Sequence, residues 1–392
     1  MTLAQRTTEI APSPTLAMAK KAKEMQAAGI DVINLGVGEP DFTTPNYIVD
    51  GAKSAMDAGQ TSFYTPTAGL PALRQAIAAD TFKRTGQEIT AEQVVVTAGA
   101  KLALYALMQV LVDPNDIVVT PAPYWVSYSE QVKLAGGRLA AIVPAAPDLK
   151  ITPAELSAFD GKIKVFILNS PNNPTGAVYS RAELSALLDW ADANDVYVIL
   201  DEIYGQLVYN DAEFTSGLAL RQLSDSKLII IDGVSKAYAM TGWRIGWALA
   251  DATIINAMSN LLDHMTSNPS AVAQYAALTA LTTDSDALGE MRVAFEERLN
   301  ATFAGLQKVP HLTLTHKPQG AFYLFPKVDD AALAAHGVTS TDELALKILT
   351  EAHVALPAGE GFGMPGYLRL GYAKDQATLD EALRRLTVFF ED

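Results

Sequence analysis

The sequence predicts an α/β protein with a mostly parallel central sheet, helices on both faces, and a smaller α+β domain attached. Three observations carry that expectation. Short runs of Val, Ile and Leu recur through the middle of the chain without polar alternation, the pattern of strands buried on both faces. Helical stretches separate these runs, as crossovers between parallel strands require. After about Asp284 the alternation gives way to a long helical stretch and short isolated strands.

The elements follow from local chemistry. Leu70, Leu73, Ile77 and Phe82 recur at roughly helical spacing after Gly69, and Pro71 suits a first-turn position. Val94-Val-Val-Thr97 is a β-branched run, followed by a Gly break and an apolar helix from about Ala100 to Val112. Asp116 to Thr120, Arg138 to Val143 and Ile163 to Leu168 read as further strands. Ser180-Arg-Ala-Glu183 is a capping box opening a helix to about Asn194. Val196 to Leu200, Lys227 to Ile231 and Ile245 to Ala250 complete the short buried strands. In the tail, strands are expected near Leu312–Thr315, Ala321–Phe325 and Tyr367–Tyr372, with a helix capped by Ser340-Thr-Asp-Glu343. The last helix carries Leu379, Leu383 and Leu386 on one face.

Composition narrows the function. The 392 residues include 29 Lys and Arg against 44 Asp and Glu, a formal charge of −15, and no Lys/Arg-rich run. That balance disfavours nucleic acid and anionic membranes as partners. With 49% hydrophobic and 19% charged residues the chain can build a large core. The absence of cysteine excludes disulfides, thiolate metal sites and a cysteine nucleophile, and fits a reducing compartment. No apolar segment resembles a signal peptide or a membrane span, so a soluble, cytoplasmic protein is expected. The five histidines show no metal-binding spacing.

Ligands of such sheets bind at the C-terminal ends of parallel strands, and four unusual segments fall there. Asp232-Gly-Val-Ser-Lys236 places a lysine among small residues directly after a buried strand, with Arg244 eight positions on. A lysine enclosed by apolar neighbours is prepared as a Schiff-base nucleophile, and the arginine offers a planar fork for phosphate. Asp201-Glu-Ile-Tyr204 ends another strand in an acid. Asn169-Ser-Pro-Asn-Asn173-Pro-Thr-Gly176 is forced into a loop by its prolines and carries amides for a ligand. Thr97-Ala-Gly-Ala-Lys101 is a strand–turn–helix start whose backbone N–H groups suit an anion. Neither a P-loop nor a dinucleotide fingerprint is present.

Together these segments resemble the fold-type I, class I aminotransferases that use pyridoxal 5′-phosphate, with the bacterial aspartate aminotransferases the nearest group. The likeness runs from about Ala11 to the C-terminus through Asn34-Leu-Gly-Val-Gly-Glu-Pro-Asp41, Tyr64-Thr-Pro, Pro123-Tyr-Trp-Val, Asn172-Asn-Pro-Thr-Gly, Asp201-Glu-Ile-Tyr, Ser235-Lys-Ala, Met240-Thr-Gly-Trp-Arg and Arg369-Leu-Gly-Tyr. The resemblance implies a large cofactor domain over 46–283 and a small domain from 1–45 and 284–392. It implies that Lys236 bonds to the cofactor aldehyde and later shuttles a proton. Asp201 would pair with the pyridine nitrogen, Tyr204 and Asn173 with the ring oxygen, and Trp125 with the ring face. Gly99, Ala100, Lys101, Ser235 and Arg244 would surround the phosphate, with Tyr64 reaching in from a second subunit of a homodimer. Arg369, Asn173 and Gly36 would hold the substrate α-carboxylate, and Lys101, Ser13 and Thr15 the distal group. Many relatives carry a serine three residues before the lysine as a phosphate ligand; here that place is Gly233.

A cation at Lys101 favours aspartate or glutamate, with oxaloacetate and 2-oxoglutarate as partners. Prephenate, aromatic or broad-range transamination stays open, as does a C–S lyase or decarboxylase on the same fold. A ligand-sensing regulator of this fold carries an N-terminal DNA-binding module, for which the residues before Leu16 leave no room.

Overall fold

The computed structural model describes residues 3–224 and 226–391. Among these residues one large sheet contains seven strands: β1 (Val94–Thr97), β2 (Ile117–Pro121), β3 (Arg138–Ile142), β4 (Ile163–Asn169), β5 (Tyr197–Asp201), β6 (Leu228–Gly233) and β7 (Gly246–Leu249). They lie in the order β1-β7-β6-β5-β4-β2-β3. Neighbours from β6 through β3 are parallel, while β7 runs antiparallel to both β6 and β1. A strand buried on both faces carries no mark of its direction, so the reversal of β7 is invisible in its residues.

Alternate side chains of these strands enter opposite cores, as the period of two demands. Val94, Val96, Val119, Phe166, Leu168, Val198, Leu200, Leu228 and Ile230 join one apolar cluster. Val95, Val118, Val165, Ile167, Ile199, Ile229, Ile231 and Ala248 join another. Two helices carry residues that the sequence singles out for a ligand, α1 (Pro14–Ala27) with Thr15 and α2 (Ala100–Leu111) with Lys101. Ser13 caps α1 with Pro14 in its first turn. The expected box at Ser180 closes reciprocally, Glu183 N–H donating to Ser180 Oγ at 3.3 Å and Ser180 N–H to Glu183 Oε2 at 2.7 Å. Ser340 caps its helix by accepting from Glu343 N–H at 3.2 Å, while the Glu343 carboxylate accepts from Thr339 N–H at 2.7 Å.

A third cluster unites Ile33 and Leu35 with Met291, Phe295, Phe322, Leu379, Leu383, Leu386 and other residues of the tail. The reason is backbone pairing: Ile33–Asn34 lies parallel to Val354–Ala355, and Gly371 N–H donates to Leu35 O at 2.8 Å. Of the strand expected over 321–325, only Tyr323–Leu324 pairs, antiparallel to Leu370–Gly371. That register sets Tyr323 beside Arg369. No described helix is long and apolar enough to cross a membrane.

One sheet edge collects the unusual loops. Asn169 pairs with Asp201, Gly233 with Gly246, and Gly246 with Thr97, so the ends of β4, β5, β6 and β1 stand beside the start of β7. Glycine at 246 permits the closest approach in this region. A Cβ there would stand 2.3 Å from Ala100 N and 2.9 Å from Ala100 Cα, so β7 packs directly on the first turn of α2. Gly246→Ala is therefore expected to lower stability by about 1–3 kcal/mol through overpacking. Gly242→Ala, with no atom within 4 Å of its Cβ position, should stay within about 0.5 kcal/mol. Urea unfolding midpoints of the two variants check the contrast.

Candidate active site

A cavity of about 330 Å³ opens at this edge, between the strand ends, α1, the segment 36–39 and the tail. Its wall includes Lys236, Asp201, Tyr204, Asn173, Arg369, Trp125, Ala100, Lys101, Ser235, Arg244, Gly36 and Thr15, all anticipated from sequence. Gly99, Ser13 and Tyr64 do not line it. Gly99 sits immediately behind, Ser13 is engaged as the cap of α1 and shares a hydrogen bond of 3.0 Å with Thr15, and Tyr64 is 91% exposed.

Lys236 follows β6 and is partly buried. Its Nζ donates to Gly38 O at 2.5 Å and lies 5.7 Å and 5.9 Å from the rings of Tyr204 and Phe322. Burial, with the positive charge of Arg369 next in weight, pushes the amine down to about 8. An appreciable fraction of this lysine is thus an uncharged nucleophile near neutral pH. Asp201, buried at the end of β5, accepts from Tyr128 O–H at 2.7 Å through Oδ2 and from Ile203 N–H at 3.3 Å through Oδ1. Burial raises its carboxyl to about 6 against the lowering effect of those bonds. It is still ionised at neutral pH and can receive a cationic N–H.

Arg369 is only 3% exposed. Nη1 donates to Asn173 Oδ1 at 3.0 Å and Nη2 to Gly36 O at 2.6 Å, while Nε is buried without a partner. Its guanidinium lies 4.6 Å from the ring centre of Tyr323 and 5.0 Å from that of Phe362. No carboxylate of the described residues pairs with it, which leaves an anion-seeking fork inside the protein.

At the other side the turn into α2 forms a cradle. Gly99 has φ of +87°, and a Cβ there would stand 2.3 Å from Arg244 Nη2, so glycine both makes the turn and admits the arginine. Arg244 itself is exposed and donates to Thr241 O at 3.0 Å. A phosphate is well matched to that helix N-terminus and guanidinium. Gly233 is explained by packing: a Cβ there would stand 2.8 Å from Gly246 Cα and 2.9 Å from Ile245 O. A serine in that place would displace β7, and Ser235 instead reaches the cavity wall. Lys101 Nζ lies 4.8 Å from the Trp125 ring at the cavity mouth.

One cavity thus gathers an amine nucleophile, a buried carboxylate, a helix N-terminus with an arginine beside it, and an unpaired guanidinium fork, an arrangement able to hold anionic groups next to a nucleophile. A model of the family "Aminotransferase class I and II" matches residues 30–386. The chain belongs to that family. The aspartate aminotransferase of Bacillus sp. (strain YM-2) is 48% identical over 390 residues, 99% of this chain and 98% of its own length. The asparagine–oxo-acid transaminase of Streptococcus mutans is 44% identical over 391 residues, 99% of each chain. The crystal structure of aspartate aminotransferase from Thermotoga maritima superposes with a TM-score of 0.91, at 38% identity and full coverage of both chains.

Four contributors to this aminotransferase site escaped the sequence reading. Tyr128 orients Asp201. Asn169 donates through Nδ2 to Asp201 O at 2.8 Å and accepts from Asn173 N–H at 2.7 Å, so one amide ties the two functional strand ends together. Gly38 O receives Lys236, and the Tyr323 hydroxyl Oη lies 2.8 Å from Tyr204 Oη. Of these Asn169 had a local signal, its place in the proline-rich loop, and Gly38 lay in the 34–41 motif. The lowered Lys236 amine gives a pH prediction. Borohydride trapping of an aldehyde on apoprotein should label the Lys236 peptide, at a rate rising about tenfold per pH unit and levelling above about pH 8. Label on another lysine, measured by peptide mass spectrometry, contradicts it.

Proposed function

We propose that the protein transfers the amino group between an L-amino acid, aspartate or glutamate foremost, and a 2-oxo acid (oxaloacetate or 2-oxoglutarate), using pyridoxal 5′-phosphate. The observation that carries the reading is the uncompensated guanidinium of Arg369 in the same cavity as the lowered Lys236 amine. Pyridoxal phosphate, when bound, supplies an aldehyde for that amine and a pyridinium ring able to accept electrons from Cα. Asp201, held by Tyr128, keeps the proton on the ring nitrogen. Tyr204 and Asn173 serve the ring oxygen, and Trp125 the ring face. The backbone from Gly99 to Lys101, with Ser235 and Arg244, holds the phosphate.

Arg369 holds the substrate α-carboxylate, with Asn173 and Gly36 bracing the guanidinium. Two anchored groups would fix which Cα bond faces Lys236, and its amine would take the proton from the substrate Cα and return it. Lys101, over Trp125 and in the same cavity wall as Thr15, meets the distal carboxylate. The names of the relatives support the aspartate reading. Tyr64 and its neighbour Phe63, 91% and 81% exposed, support a homodimer in which Tyr64 completes the site of the second copy. The third apolar cluster, drawn mostly from 1–45 and 284–392 with Ile203, Tyr204, Leu207, Tyr209 and Ala239 joining from the large side, supports a small domain of those two segments packed on a large domain of 46–283. Leu16, Ala19 and Leu104 in the cavity wall favour a second reading, an aromatic amino donor or prephenate as the oxo acid.

A panel of aspartate, glutamate, asparagine, phenylalanine and alanine donors, and of oxo acids including prephenate, tests the choice. Aspartate and glutamate should show the highest kcat/KM. Lys101→Ala should lower kcat/KM for aspartate roughly 10- to 100-fold, the size of a hydrogen bond to a charged group. The loss on alanine should stay within about threefold; equal losses on both would assign Lys101 to the cofactor phosphate or the fold. Arg369→Ala should lower kcat/KM for every donor by about a hundredfold or more.

A further inference from the structure

We infer that Tyr323 is a positioning residue for the reaction, its hydroxyl donating to the Tyr204 oxygen and so turning the Tyr204 proton toward the cavity. The inference rests on the proposed role of Tyr204 as donor to the cofactor ring oxygen.

The first support is the hydroxyl pair itself. The two buried oxygens are 2.8 Å apart, and both residues line the cavity. One hydrogen bond between two hydroxyls uses one proton and leaves the other for a further acceptor. The second support is charge. The permanently charged guanidinium of Arg369 lies 4.6 Å from the Tyr323 ring centre, which makes that phenol the stronger donor. Burial raises both phenols; at Tyr204 the lowering by Arg369 is opposed by the Asp201 carboxylate, and Lys236 Nζ, 5.7 Å from its ring, carries the more easily lost proton. The inward donor is therefore Tyr323. Arg369, Asp201 and Lys236 are the charged groups around the pair.

The third support is how firmly Tyr323 is placed. Its backbone pairs with Leu370–Gly371, and its ring meets that of Tyr204 edge-on at 5.8 Å and 82°. A Cβ on Gly38 would come within 2.4 Å of its hydroxyl oxygen, so only glycine there leaves the hydroxyl its place. Arg369, Tyr323 and Tyr204 thus form a route from the carboxylate fork to the ring side, separate from the contact of Arg369 with Asn173.

The test is the pH titration of the holoenzyme's visible cofactor absorption. A weaker donor at the ring oxygen stabilises its negative charge less, so the bound cofactor holds its proton to higher pH. Tyr323→Phe should move the titration up by about 0.5 pH unit, roughly threefold in the ionisation constant, less than Tyr204→Phe and in the same direction. 3-Fluorotyrosine at position 323 keeps the ring and hydroxyl but is the stronger acid, and should move the titration down. In a Tyr204→Phe background neither change at 323 should have any effect. Titration at the wild-type pH in both 323 variants, while Tyr204→Phe shifts it, overturns the inference. So does a shift that persists without the Tyr204 hydroxyl, which would mean direct contact. No shift in Tyr204→Phe alone overturns the role given to Tyr204 and this inference with it.

Discussion

A buried guanidinium, that of Arg369, with no carboxylate of the described residues beside it is the constraint around which this molecule is arranged. Taking an unpaired charge out of water costs several kcal/mol even after relaxation. Arg369 recovers part of that cost from Asn173 Oδ1, the Gly36 carbonyl and the faces of Tyr323 and Phe362. The remainder is binding capacity for a carboxylate. The same positive charge contributes to lowering the Lys236 amine, second to burial itself. Recognition and nucleophile activation therefore share one source, and an acidic chain of formal charge −15 keeps a locally cationic cavity.

The fold delivers these groups by simple rules. Parallel β4, β5 and β6 end at one edge, which brings the Asn169–Asn173 loop, Asp201 and the Lys236 loop together without any contact between them in sequence. Because β7 is reversed it starts at that edge, so Arg244, just before it, stays there. Gly233 and Gly246 remove the side chains that would separate β6, β7 and α2, so the start of the helix and Arg244 converge on one point. The tail adds Arg369 and Tyr323 from the opposite wall by the pairing of Tyr323–Leu324 with Leu370–Gly371.

Much of this was legible from residues alone. Buried β-branched runs mark the strands, and capping serines mark helix starts at Ser180 and Ser340 because their chemistry is local. Lys236, Asp201 and Asn173 stood out by type and setting, Arg369 only through the family resemblance, and all four meet in the cavity. What stayed hidden is long-range. Tyr323 meets Tyr204 across 119 positions, and Tyr128 meets Asp201 across 73, with nothing in either local sequence to announce it. The direction of β7 was hidden because two buried faces look alike in either sense. Ser13 read as a ligand hydroxyl, but a serine before proline also starts a helix, and that is how it is used here. Gly233 read as a missing phosphate ligand, and its packing against Gly246 shows why a side chain is absent.

The central claim is that the carboxylate fork of Arg369 and the amine of Lys236 select α-amino acids for amino transfer. Single-turnover reaction of the holoenzyme with L-aspartate and with β-alanine, its analogue lacking the α-carboxylate, tests that claim most directly. The account predicts that aspartate converts the visible cofactor spectrum fully with stoichiometric oxaloacetate, while β-alanine at the same concentration leaves it unchanged. Conversion by β-alanine at a comparable rate would contradict it.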